Sequence, residues 1–224
     1  MTPEDLAGLI DLSILRPDAT KKDIEELLRK AMQFPFASVC VPPSYVEFAG
    51  MFLAGRKMNI STVVGFPMGY QTTHAKVTEA KEAVEKGASE VDMVMNISAF
   101  KSGETAAVEE DIKAVVSAVP RTVVKVIIET CYLTYQEKVY AVDTVVRAGA
   151  HFVKTSTGFG PGGATVDDVK LLKETAGGRI RIKAAGGIRN LDAALEMIEA
   201  GADRIGTSVG AEIVEDFQKK EELF

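Results

Sequence analysis

The chain has 224 residues, 46% of them hydrophobic, and a formal net charge of −6. It is large enough for one full core, and its acidic balance excludes a nucleic-acid or anionic-membrane surface, which needs clustered Lys and Arg. No apolar stretch approaches the roughly 18 residues of a membrane span, and the N-terminal MTPEDLAGLI lacks the basic and apolar regions of a signal peptide. The two cysteines, Cys40 and Cys131, have no CxxC spacing, which predicts packed thiols in a reducing cytoplasm rather than a disulfide or a zinc site.

In chain order, the first residues predict a short extra helix, with Thr2 as cap and Pro3 at the first helical position. Eight β-rich apolar runs then alternate with amphipathic stretches. They are 9–13 (LIDLS), 37–41 (ASVCV), 60–65 (ISTVVG), 90–95 (EVDMVM), 123–129 (VVKVIIE), 152–156 (FVKTS), 180–184 (IRIKA) and 204–208 (RIGTS). Near-continuous apolar runs suit parallel strands covered on both faces. The intervening helices have readable starts: Thr20-x-x-Asp23 and Thr134-x-x-Glu137 resemble capping boxes, and Thr165 and Asn190 are good N-caps. Eight strand–helix units in 224 residues predict one domain, 1–224, folded as a (β/α)8 barrel; an open doubly wound sheet is the competing architecture.

An internal repeat aligns the chemistry. Lys86-Gly87-Ala88, Ala148-Gly149-Ala150 and Ala200-Gly201-Ala202 each end a helix and lead into a strand. Five residues past each Gly lie Asp92, Lys154 and Gly206, on the fourth, sixth and eighth strands. Alternate strands of such a barrel share interior layers, so Asp92 and Lys154 are expected at one level, with space at Gly206. Lys183, 29 residues after Lys154 on the seventh strand, is expected in an adjacent layer.

Two lysines inside apolar strands are unusual. Each alone could reach solvent from a strand end, and Asp92 alone could accept loop N–H groups. Together, on three strands of one barrel, they suggest a pocket where neighbouring ammonium groups depress a pKa. At the ordinary value only about 4 in 10,000 lysines are neutral at pH 7, and a pKa near about 7 would raise the reactive amine roughly 10³-fold. That is imine chemistry. Ala184-Ala185-Gly186-Gly187-Ile188 and Gly206-Thr207-Ser208-Val209-Gly210 occupy the loops that commonly bind phosphate in this fold. Gly158-Phe159-Gly160-Pro161-Gly162-Gly163 reads as a flap or a turn. Only two histidines, His74 and His151, are present and they lie far apart, so no metal cluster is expected.

Four segments carry a resemblance: Phe152-Val-Lys-Thr-Ser-Thr-Gly158, Ile182-Lys-Ala-Ala-Gly-Gly-Ile-Arg189, Glu90-Val-Asp-Met-Val-Met-Asn96 and Val126-Ile-Ile-Glu-Thr-Cys131. They are similar to the signature segments of the deoxyribose-phosphate aldolase family, and the likeness runs through nearly the whole chain. It implies a class I aldolase that reversibly cleaves 2-deoxy-D-ribose 5-phosphate to acetaldehyde and D-glyceraldehyde 3-phosphate. No cofactor or metal is implied. Lys154 matches the Schiff-base lysine, Lys183 its companion and Asp92 a proton-relay carboxylate. Asp11, Thr157, Gly158, Gly186, Gly187, Gly206 and Ser208 make up the implied substrate- and phosphate-binding set.

The expected partner is a small phosphorylated sugar, without nucleic acid or membrane, and the chain is expected to be a homo-oligomer. The alternative activities are another Schiff-base lyase or transaldolase-like enzyme acting on a different phosphosugar, a phosphosugar isomerase, and a non-catalytic phosphate-binding barrel. One departure stands out. Family members often end in a tyrosine, whereas this chain ends Glu221-Glu-Leu-Phe224. The tail is therefore read as frayed rather than catalytic.

Overall fold

The computed structural model describes residues 1–221. The reading of the C-terminal tail falls largely on residues 222–224 and lies outside the described residues. All eight expected strands form, with bounds within two residues of their predicted ranges. They are β1 Ile10–Ser13, β2 Ser38–Cys40, β3 Asn59–Val64, β4 Glu90–Val94, β5 Val123–Ile127, β6 Phe152–Lys154, β7 Arg181–Ala185 and β8 Arg204–Thr207. Every neighbouring pair is parallel, and β8 pairs with β1, so the sheet closes into a barrel and the open-sheet alternative falls away.

The helices are α1 Pro3–Ala7, α2 Lys21–Ala31, α3 Val46–Phe52, α4 Thr73–Glu85, α5 Ile97–Lys101, α6 Thr105–Ala118, α7 Tyr135–Arg147, α8 Val166–Ala176, α9 Leu191–Glu199 and α10 Gly210–Glu221. Their starts follow from local hydrogen bonding. Thr20 and Thr134 form capping boxes with Asp23 and Glu137, while Thr165 and Asn190 accept from the amides of Asp168 and Ala193. Thr2 also forms a full box, with Asp5. Gly87, Gly149 and Gly201 end their helices at φ 109°, 80° and 109°.

Side-chain alternation splits each strand between two environments. Outward residues such as Leu12, Val39, Val91, Met93, Val124, Val126, Val153, Ile182 and Ile205 are buried against Ile24, Leu28, Ala80, Ile112, Val145, Val169 and Leu172 of the helices. This annulus is the hydrophobic core, each such side chain contributing about 1.5–3 kcal/mol when fully buried.

The inward residues are different. Such barrels usually fill their interior with Val, Ile and Leu. Here Asp11, Ser38, Ser61, Glu90, Asp92, Lys125, Lys154 and Lys183 are all buried within it. A ring of apolar packing carries the fold, and a charged column runs through its centre.

Candidate active site

Lys154 and Lys183 are register partners on β6 and β7. Their amines do not simply face each other, because Asp92 of β4 lies between them. Asp92 Oδ2 accepts from Lys154 Nζ at 2.8 Å and from Lys183 Nζ at 2.7 Å. The expected convergence of these three groups is present. Gly206 makes the space: a Cβ there would fall 3.0 Å from Lys183 Cε and 2.9 Å from the Ala185 Cβ.

The two lysines differ in charge balance. Lys154 meets only one carboxylate, shared with Lys183. Burial pushes its pKa below the ordinary lysine value; Asp92 works against this, and the Lys183 ammonium adds to it. Burial, more than the neighbouring ammonium, is therefore the main cause of the depression. Lys183 is also buried, but Asp11 at 2.5 Å and Asp92 outweigh that and hold its ammonium above the ordinary value. One amine is eased toward losing its proton, and its partner is held in the charged form.

A cavity of about 530 Å³ opens above them at the C-terminal end of the strands, the end where barrels of this kind carry their sites. Lys154, Lys183, Thr157, Gly158, Gly186, Gly187, Gly206 and Ser208 line it, together with Cys40 and Arg189. Asp92 and Asp11 do not. Both are wholly buried beneath the cavity floor. Asp11, named with the substrate-binding set, stands beside the lysine pair rather than on the cavity wall. Its carboxylate is consumed by Lys183, by Ser38 Oγ at 2.6 Å and by Arg204 Nη1 at 2.5 Å, so it acts on the site as a counter-charge.

The far wall is built of backbone. Gly186 and Gly187 stand in succession at φ 87° and 81°, a conformation that L side chains adopt only with strain. Gly163 lies so close to Gly186 that a Cβ would sit 2.3 Å from its carbonyl oxygen, and Ala164 N–H donates to that oxygen at 3.0 Å. The glycine-rich segment after β6 is thus laid against the loop after β7. Thr207 fastens the next loop, donating to Ile188 O at 2.7 Å and accepting from Val209 N. The exposed Ser208 hydroxyl sits at the cavity edge, two residues before α10.

Sequence reasoning missed four members of this assembly. Lys125 of β5, a third lysine inside an apolar run, donates to Asp92 Oδ1 at 2.8 Å and pairs with Glu90 Oε2 at 2.6 Å. Glu90 and Arg204, each two residues before an interior position already recognised, complete the column at 3.2 Å from each other. The period-two rule applied from Asp92 and Gly206 would have found both. Glu129, at φ 50°, is buried after β5 and accepts the Thr157 N–H at 3.1–3.2 Å. Burial raises its pKa.

The two thiols also separate. Cys40 is buried at the cavity floor, where burial pushes its pKa up, whereas Cys131 is exposed and is not the packed thiol expected. Among the described residues, no helix is long and apolar enough to cross a membrane.

A family model described as DeoC/LacD family aldolase matches residues 6–218. A curated relative from Thermoanaerobacter sp. (strain X514), named deoxyribose-phosphate aldolase, is 52% identical over 218 residues, spanning 96% of this chain and 98% of its own length. A solved structure titled "QR15, an Aldolase" superposes with a TM-score of 0.94 at 46% identity, covering 98% of this chain and 99% of that one. The structure of a deoxyribose phosphate aldolase from Aeropyrum pernix, described as a unique tetramer, has a TM-score of 0.91 at 34% identity, covering 98% and 93%.

Proposed function

The chain belongs to the DeoC/LacD family of aldolases, and from that premise we propose that Lys154 is its imine-forming amine in the reversible cleavage of 2-deoxy-D-ribose 5-phosphate to acetaldehyde and D-glyceraldehyde 3-phosphate. One observation carries the assignment. Of the two amines at the cavity floor, only Lys154 is pushed below the ordinary lysine value, while Lys183 beside it is held cationic.

The chemistry follows from that difference. The neutral amine adds to C1 of the open-chain sugar, and loss of water gives an iminium. The C3 hydroxyl loses its proton, the C2–C3 bond breaks, and its electron pair moves into the iminium to leave an enamine of acetaldehyde on Lys154. D-Glyceraldehyde 3-phosphate departs, a proton returns to C2, and water releases acetaldehyde. Asp92 is buried below the floor, so its part in moving protons runs through the Lys183 ammonium or through a water, not by direct contact with C3. The backbone wall at Gly158, Gly186 and Gly187, with the Ser208 hydroxyl, takes the phosphate and fixes the far end of the sugar.

Borohydride reduction in the presence of acetaldehyde, followed by peptide mapping, tests the assignment. A two-carbon adduct on Lys154 is expected. An adduct on another lysine, or release of a different aldehyde from the sugar, would move the chain to another Schiff-base activity. Lys183→Leu is expected to form the imine slowly, with its pH–rate profile moved to higher pH. Removing the ammonium takes away one of the causes depressing Lys154, though burial remains, so the displacement should be partial. An unchanged profile in a folded variant would remove Lys183 from that role.

The same reading places the enzyme in the cytoplasm, supported by an exposed thiol, Cys131, with no disulfide partner. A homo-oligomeric state is supported by the 34% identical deoxyribose phosphate aldolase from Aeropyrum pernix, whose structure is described as tetrameric. Sedimentation as a monomer at micromolar concentration would reject it.

A further inference from the structure

The charged column below the cavity has a definite stoichiometry. Its carboxylates are Asp11, Glu90 and Asp92, and its cations apart from Lys154 are Lys125, Lys183 and Arg204. The pairs form one chain. Arg204 Nη1 bonds Asp11 Oδ1 at 2.5 Å and Glu90 Oε2 at 3.2 Å; Lys125 Nζ bonds Glu90, Asp92 and, at 3.5 Å, Asp11; Lys183 bonds Asp11 and Asp92. Three negative charges meet three positive ones. A proton on Lys154 would be a fourth positive charge in a buried space with no carboxylate of its own at ion-pair distance, which is costly.

We propose that Lys125 and Glu90, which lie beneath the cavity out of reach of the sugar, are positioning residues that fix Lys154 as the neutral member of the column. The proposal rests on Lys154 being the imine-forming amine. Lys125 holds Asp92 Oδ1, so that carboxylate is already neutralised when it reaches Lys154 with its other oxygen. Glu90 in turn keeps Lys125 and Arg204 from overcharging the column.

The groups around these two are accounted for strand by strand. Asp11 approaches from β1, Ser38 Oγ and the Cys40 thiol belong to β2, and Ser61 Oγ of β3 lies 3.2 Å from Lys125 Nζ. Asp92 belongs to β4, Lys183 to β7 and Arg204 to β8. Glu129, after β5, is bonded to the Thr157 amide and has no ion pair with the column, but the charge of Lys154 reaches it from a distance. Arg181 of β7 stacks 4.0 Å from the Phe152 ring centroid and has no ion pair with the column.

The two positions have opposite signs, and that provides the test. Lys125→Met leaves the column one negative charge in excess, which a proton on Lys154 would balance. Glu90→Gln leaves one positive charge in excess and disfavours that proton further. The rate of borohydride-trapped adduct formation from acetaldehyde, which needs neither phosphate binding nor C–C cleavage, is measured against pH for each. The midpoint is expected to rise by about one pH unit or more in Lys125→Met and to fall by a similar amount in Glu90→Gln. It should return toward the parent value in the double variant, and Lys125→Arg should keep it.

A purely structural role would lower thermal stability in both single variants without moving the midpoints in opposite directions, and that result would overturn the proposal. If Lys125→Met does not fold, Glu90→Gln decides by the direction of its shift. Absence of any adduct on Lys154 in the parent enzyme would instead sink the imine assignment.

Discussion

Lys154→Ala abolishes turnover of 2-deoxy-D-ribose 5-phosphate and adduct formation with acetaldehyde together, while the barrel stays folded. Both losses are expected because no other amine at the site is available. Lys183 lines the same cavity, but Asp11 and Asp92 hold its proton, and Lys125 is sealed beneath the floor. The fold is expected to survive because Lys154 stands outside the balance of three carboxylates and three cations. Its removal leaves no buried carboxylate without a cation. Appreciable residual turnover, or an adduct on Lys183, would reject the assignment.

Stability against pH responds to Lys154 independently of catalysis. Its pKa in the folded protein is depressed, so between that value and the ordinary lysine value of about 10.4 the unfolded chain binds the extra proton. Stability of the parent therefore rises with pH across that window, and the contribution is smallest below the folded pKa of Lys154. Lys154→Met, which keeps the stem packed and carries no titrating group, is expected to flatten this slope and to raise stability near neutral pH. Denaturant midpoints measured at several pH values check it. A parent slope that persists unchanged in the variant would mean that Lys154 is not depressed.

The architecture was legible because its signals were repeated. Eight apolar runs at a regular spacing, capping residues at Thr20, Thr134, Thr165 and Asn190, and three helix-ending glycines all pointed to one closed sheet. Counting from those glycines also placed Asp92, Lys154 and Gly206 together. The same device could not find Lys125, because α6 is followed by Val119-Pro120-Arg121 and offers no glycine to count from. Lys125 carried another signal, a lysine inside an apolar strand-like run, which was the very feature that exposed Lys154 and Lys183. The partners of Asp11 were illegible for a different reason. A carboxylate on an interior strand position reads the same whether it faces ligand or lysine, and only the layer at which Lys183 and Arg204 reach it decides.

Gly187→Val weakens use of 2-deoxy-D-ribose 5-phosphate severely and spares unphosphorylated 2-deoxyribose. Gly187 stands at φ 81°, where a β-branched residue is strained whatever room it has. Yet no atom beyond its chain neighbours lies within 4 Å of a Cβ built there, so the side chain starts out into open space. It would stand at the cavity wall instead, where the phosphate is proposed to lie, and the backbone would turn its N–H away to relieve φ. Loss of one charge-assisted hydrogen bond, at about 1.5–3 kcal/mol, corresponds to a fall in kcat/KM of roughly 10- to 150-fold, and crowding of the phosphate by the side chain adds to it. The unphosphorylated sugar never makes that bond, so its kcat/KM should change far less. Acetaldehyde adduct formation on Lys154 should be close to that of the parent. Gly186 is the contrasting position, since a Cβ there would meet Gly163 Cα at 3.2 Å and Ser156 Cβ at 3.3 Å. Gly186→Val should therefore damage the packing of both loops and lower activity on either sugar. If Gly187→Val also costs both sugars equally, the glycine pair serves only the turn after β7, and the phosphate is held elsewhere in the cavity.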